Sequence, residues 1–177
     1  ADRENEFFCD GLAEELISAL SKIDRLRVAS RTSTFSFRGK GLDVGEIGSA
    51  LKVGAVLEGS VRKAGTRLRI TTQLVNVSDG YHLWSERYDR QLEDIFQVQD
   101  EIALAIVGAL KVKLLGEEQA AIAKRPTVNV EAYQFYLKGR QHWQKWTAEE
   151  LLKARECFER AIELDPKFAL AYFGLAD

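Results

Sequence analysis

Apolar and polar positions change their period several times along this chain, and each change predicts an element. Leu12, Leu16, Ala19, Leu20 and Ile23 recur at helical spacing and predict a helix over 10–23. Asp10 would cap it, and Glu14 and Glu15 suit its positive start. A short strand is predicted at 25–30. Residues 31–41 (R-T-S-T-F-S-F-R-G-K-G) are polar and glycine-punctuated, with Phe35 and Phe37 alternating as in an edge strand or extended loop. Asp43 and Glu46 have the spacing of a capping box, opening a helix over 43–51 with Val44, Ile47 and Leu51 as its buried stripe. The run V-G-A-V-L-E-G-S-V-R-K then predicts a strand whose nearly continuous apolar core would be covered on both faces. Ala64-Gly65 turns the chain. Leu68, Ile70, Thr72 and Leu74 alternate with Arg67, Arg69, Thr71 and Gln73, as in a half-buried strand. Asp79-Gly80 signals a hairpin, and Y-H-L-W-S-E-R-Y is its returning strand. A long amphipathic helix follows over 97–115, through Val98, Ile102, Ala105, Ile106, Ala109 and Leu110.

Residues 116–130 turn polar, lose periodicity and contain Pro126, which marks a boundary. Helices are predicted beyond it at 131–145, 148–164 and 168–177. The expected fold class is α+β or α/β: a small mixed sheet with packed helices, followed by an all-α segment. The expected domains are 1–116, a linker at 117–130, and 131–177.

The last segment carries its own pattern. In A-R-E-C-F-E-R-A-I-E-L-D-P, Ala154, Phe158 and Ala161 share one helix face and Asp165-Pro166 stops the helix. This spacing resembles the second half of a tetratricopeptide repeat, in which small residues let two helices approach closely. Such repeats stack to bind other proteins. Gly139 to Ala154 is 15 residues, against about 12 in a standard repeat, so an insertion is expected within Q-K-W-T-A-E-E. Tyr172 and Leu175 would begin a second repeat.

Composition bounds the function classes. The 177 residues are 46% apolar and 29% charged, which suits a globular chain able to bury a core. With 25 basic and 27 acidic residues the net charge is −2, so no global field recruits nucleic acid or an anionic membrane. Charge-free runs such as Ile102 to Leu110 fall far short of a membrane span. The chain begins at Ala1 and holds no methionine, so it reads as an excised segment of something longer. Cys9 and Cys157 have no paired spacing and read as small buried hydrophobes.

Candidate chemistry thins out on inspection. His82 and His142 lack partners at metal-ligand spacing, so no metal is expected. Gly39, Gly41, Gly45 and Gly48 match neither G-x-x-x-x-G-K-S/T nor G-x-G-x-x-G, so no nucleotide cofactor is expected. Glu14/Glu15, Glu93/Asp94 and Asp100/Glu101 sit at helix starts, where dipole compensation accounts for them. No G-x-S-x-G or three-membered Cys–His arrangement occurs, and no catalytic residue is assigned. Arg62, Lys63, Arg67 and Arg69, with Arg25, Arg27, Arg31, Arg38 and Lys40, could join Phe35, Phe37, Trp84 and Tyr88 in a single-strand nucleic-acid face. A solvated strand face is the commoner use of such arginines.

The stretches F-F-C-D-G-L-A-E-E-L-I-S-A-L-S-K-I and V-G-A-V-L-E-G-S-V-R-K-A-G-T-R-L-R-I-T-T-Q-L-V-N-V-S-D-G-Y-H-L-W-S-E-R-Y-D-R strongly resemble the TolB amino-terminal-like module. D-I-F-Q-V-Q-D-E-I and A-Y-Q-F-Y-L-K-G-R extend the likeness over nearly the whole chain. That module occurs in bacterial multidomain signalling proteins, commonly just before tetratricopeptide repeats. Class III adenylate cyclases, transcriptional regulators and serine/threonine kinases carry it C-terminal to their effector domain. The resemblance implies a regulatory, protein-interaction segment with no catalysis of its own. Relatives usually begin with a strand of the type I-A-V-L-P-F, absent here, which implies an open sheet edge.

The expected partner is a protein or peptide, with Tyr136, Arg140, Trp143, Lys145 and Tyr172 as candidate contacts. Self-association through the open edge or the helix at 168–177, which exposes Leu170, Phe173 and Leu175, is a further expectation. Alternatives are a nucleic-acid-binding module using the arginine-rich sheet face, and a small-molecule sensor.

Overall fold

The computed structural model describes residues 3–110, Val112 and 126–176. Seven α-helices and a three-stranded antiparallel sheet make the class α+β among these residues. The elements are α1 (Arg3–Leu20), α2 (Arg31–Phe35), α3 (Val44–Leu51), β1 (Ala55–Ala64), β2 (Arg67–Asn76), β3 (His82–Gln91), α4 (Ile95–Ala109), α5 (Val130–Trp143), α6 (Ala148–Leu164) and α7 (Ala169–Ala176). The expected mixed sheet is antiparallel throughout because short turns join its strands, and hairpins allow no parallel pairing. Two compact units result, one of residues 1–11 with 124–177 and one of residues 12–123. The part of the expected linker at 117–125 and the end of the helix expected to 115 lie outside the described residues, Val112 apart.

In the unit of residues 12–123, β1, β2 and β3 pair in that order, with Val61, Ile70 and Tyr88 in one row and Leu57, Leu74 and Trp84 in another. Leu68, Ile70, Thr72 and Leu74 are buried while Arg67 and Arg69 are exposed, as the alternation predicts. The β1–β2 turn places Gly65 at φ 61°. The β2–β3 turn places Gly80 at φ 73°, with Asn76 Oδ1 accepting from the Ser78 amide and Asp79 Oδ1 from the Tyr81 amide. A 3₁₀ turn at Leu92–Asp94 leads into α4, which packs on β3 through a face containing Ile95, Val98, Ile102 and Ile106.

Helix α3 keeps its predicted capping box: Asp43 Oδ1 accepts from the Glu46 amide at 2.8 Å, and Glu46 Oε2 from the Asp43 amide at 3.0 Å. Gly48 packs so tightly on Val77 that a Cβ would come within 2.3 Å of a Val77 methyl.

Four further expectations change. The strand expected at 25–30 is irregular, and the extended run after it is the short helix α2 followed by turns. Ser30 Oγ accepts from the Ser33 amide, Thr34 Oγ1 donates to Ser30 O and Ser36 Oγ to Ser33 O, so local side chains curl the backbone. Strand β1 is an outer strand of the described sheet, half-exposed over Ala55–Glu58, rather than covered on both faces. Helix α1 starts well before Asp10, which lies inside it, because Phe7 and Phe8 prolong its buried face.

In the unit of residues 1–11 and 124–177, α5, α6 and α7 pack on one another around Tyr133, Tyr136, Phe158 and Phe168. Ala154 and Ala161 are buried on α6 beside Phe158, as the small-residue spacing predicts. The Phe158 ring fills the space that a Cβ on Gly139 or Gly174 would need, at 2.6 and 2.8 Å. Gly11 likewise meets Leu137, where a Cβ would lie 2.4 Å from a methyl. Asn129 closes the start of this bundle: its Oδ1 accepts from the Ala132 amide, and its Nδ2 donates to Leu164 O. Thr127 Oγ1 donates to Asp165 at 2.5 Å.

Candidate protein-binding faces

The turn from α5 to α6 gathers most of the predicted contacts. Thr147 caps α6 by accepting from the Glu150 amide, and Glu149 and Glu150 occupy the first turn, where the helix dipole favours carboxylates. Glu150 then reaches back across the turn. Its Oε2 pairs with His142 Nδ1 at 2.9 Å and accepts from Lys145 Nζ, while its Oε1 accepts from Lys153 Nζ at 3.1 Å. Hydrogen bonds from Lys145 first, then His142 and Lys153, pull its carboxyl down to about 2.

Beside these ion pairs lies an aromatic ladder. The Trp143 and Trp146 rings are tilted at 5.0 Å between centroids, and the Arg140 guanidinium lies 5.7 Å from the Trp143 ring. Trp146 is 66% exposed and holds φ 50°, a left-handed conformation that bulky residues rarely adopt. Backbone strain of this kind clusters at active sites, ligand clamps and switch regions. Trp146 was not among the predicted contacts; its signal in the sequence was a tryptophan immediately before the helix-capping threonine.

The other predicted residues divide. Tyr136 is 4% exposed, with Phe158 and Phe168 at 6.0 and 5.1 Å, so its ring belongs to the core rather than a contact surface. Its hydroxyl still accepts from Arg140 Nη1 at 3.5 Å. Lys145 is exposed and held by Glu150. Tyr172 stands on α7 with exposed Leu170, Phe173 and Leu175, an apolar surface of the kind used in association. Arg140, Trp143 and Lys145 thus share one turn, Tyr136 supports it from within, and Tyr172 lies on the third helix.

Of the groups invoked for nucleic acid, Arg62, Arg67 and Arg69 lie on the opposite face of the sheet from Trp84 and Tyr88, while Lys63 shares the aromatics' face. Arg62, Arg69 and Asp89 form one row and Ser60, Thr71 and Arg87 the next, both on the exposed face. Tyr88 and Trp84 pair with Ile70 and Leu74 on the buried face. Burial and neighbouring Glu86 push the Tyr88 hydroxyl up to about 12. Phe35 and Phe37 lie at α2, where Arg31 and Lys40 stack on them. A base-stacking platform needs aromatics and cations on one face. On the sheet, Arg62, Arg67 and Arg69 face away from Trp84 and Tyr88.

No group of three or more His, Cys, Asp and Glu side chains that could hold a metal occurs among the described residues. No described helix is long and apolar enough to cross a membrane.

No protein-family model matches the chain. The chain is similar to a protein of Rhizobium meliloti (strain 1021) named "Putative adenylate cyclase 3", with 43% identity over 175 residues and 99% of this chain covered. It spans 30% of that relative's length. The likeness is consistent with a segment of a multidomain, adenylate cyclase-associated protein.

Proposed function

We propose that this chain is a non-catalytic regulatory and protein-binding segment of a bacterial multidomain signalling protein: a TolB amino-terminal-like module leading into a tetratricopeptide array. The observation that carries this reading is the exposed Trp146, held at positive φ against Trp143 beside Arg140 and Lys145. Aromatic and arginine side chains anchor protein interfaces, because they bury large areas while retaining polar reach. The Gly139–Phe158–Gly174 packing supports the tetratricopeptide part, since such helix pairs depend on small residues facing a large one. The chain spans 30% of the relative named "Putative adenylate cyclase 3", which leaves most of such a protein for a catalytic region elsewhere.

In this reading Arg140, Trp143, Trp146 and Lys145 contact the partner, and Tyr172 and Phe173 extend the surface along α7. The sheet and α4 are a scaffold for regulation rather than chemistry. Incubating this chain with ATP and Mg²⁺ or Mn²⁺ tests the non-catalytic part directly. No cyclic AMP above the buffer background is expected, and sustained turnover would overturn the reading.

A further inference from the structure

The exposed face of the sheet carries a charge arrangement that the fold does not need. Three successive rows across the strands read Ala64–Arg67–Gln91, Arg62–Arg69–Asp89 and Ser60–Thr71–Arg87. They hold Arg62, Arg67, Arg69 and Arg87 against the single carboxylate of Asp89, in a chain whose net charge is −2. Asp89 is already shared: Arg69 Nε donates to one oxygen at 2.7 Å, and Arg87 Nε lies 3.6 Å from the other. Arg62 stands directly opposite Arg69, a like-charge pairing that costs stability in an antiparallel ladder. The next row adds one carboxylate, Glu58, which accepts from the Gln73 amide at 3.0 Å, so the face still sets four arginines against two acids.

We infer that this sheet face docks an acidic helix of a partner protein, with Arg62, Arg67, Arg69 and Arg87 receiving its carboxylates. Spacing and chemistry favour that occupant. Alternate residues of a strand are about 7 Å apart and neighbouring strands about 5 Å, while carboxylates three or four residues apart on a helix are about 5–6 Å apart. Guanidinium forks bind carboxylates bidentately, and the intervening Ser60, Thr71 and Gln91 add hydrogen-bonding groups. Nucleic acid fits less well, since Trp84 and Tyr88 are on the other face and nothing aromatic stands in these rows to stack a base. This face is separate from the tryptophan turn and does not rest on the function proposed for it.

The test is fluorescence anisotropy of the whole chain with a labelled alanine-based helical peptide carrying glutamates on one face. Its glutamine counterpart and an oligothymidylate serve as comparisons. Expected is binding of the glutamate peptide alone, weakening on the order of tenfold as NaCl rises from about 50 to 200 mM. Arg62→Thr and Arg87→Thr should each weaken it about threefold or more. Arg62→Thr should also raise Tm by about 1–3 °C, because it removes the opposed pair. Equal binding of the glutamate and glutamine peptides would overturn the inference. So would tighter binding of the oligothymidylate, or affinity unchanged in both variants.

Discussion

The ring of Phe158 occupies the space beside Gly139 so fully that a Cβ there would lie 2.6 Å from Cε1. Both residues are buried, one on α5 and one on α6, so neither helix has solvent to retreat into. Ordinarily alanine stabilises a helix interior relative to glycine by about 0.5–1 kcal/mol. Gly139→Ala should instead destabilise, because overpacking a rigid core costs about 1–3 kcal/mol and exceeds the helix gain. Gly108 on α4 supplies the contrast, since nothing stands within 4 Å of its notional Cβ. Gly108→Ala should stabilise by about 0.5–1 kcal/mol in urea unfolding. A stabilising Gly139→Ala would contradict the close approach of α5 and α6.

Trp146 sets two effects against each other. Its φ of 50° carries a strain of about 1 kcal/mol for a non-glycine residue. Its ring contact with Trp143 returns about 0.5–1.5 kcal/mol. Trp146→Gly removes both and should leave unfolding free energy nearly unchanged. Trp146→Ala loses the contact but keeps the strain, and should cost about 1 kcal/mol. An alanine variant more stable than the glycine variant would show that the turn does not hold this conformation.

Glu15 gives the unit of residues 12–123 a dependence on pH. Burial, and secondarily the charge of Glu14, pushes its carboxyl from the usual 4.5 to about 7, opposed by Lys22. The folded state therefore binds a proton more tightly than the unfolded chain. This contribution is fully present below pH 4.5 and is lost as pH rises through about 7. Glu15→Gln should match the parent near pH 4 and exceed it by on the order of 2–3 kcal/mol at pH 8. The measurement is the difference between the two denaturation free energies across that range. A flat difference would rule out a buried carboxyl at this position.

Legibility in the sequence followed the range of the interactions involved. The β2 alternation, the Asp43–Glu46 capping box and the turns at Gly65 and Gly80 depend on neighbours in sequence, and all were readable. So was the buried Ala154–Phe158–Ala161 face. Residues 25–36 were misread because Phe35 and Phe37 alternate like a strand, while the hydroxyls of Ser30, Thr34 and Ser36 bond locally and favour a turn of helix. Tyr136 reads as a contact in the sequence because helix periodicity alone does not tell an inward tyrosine from an outward one. Its burial follows from Phe158 and Phe168, which are more than 20 residues away along the chain. Arg140 and Trp143 are three residues apart on one helix, but the contact of Trp146 with Trp143 needed the left-handed turn. The separation of Arg62, Arg67 and Arg69 from Trp84 and Tyr88 required the register of the strands, which alternation within one strand leaves open.

The central claim is that this segment regulates through a partner and performs no chemistry. Its most direct test is cyclic AMP formation by the Rhizobium meliloti relative, intact and with the region matching this chain removed. Expected is a truncated protein that keeps basal turnover and loses the response to its regulatory signal. Basal turnover abolished by the truncation in a protein that remains folded, and restored by adding this chain in trans, would contradict the claim by placing part of the catalytic machinery here.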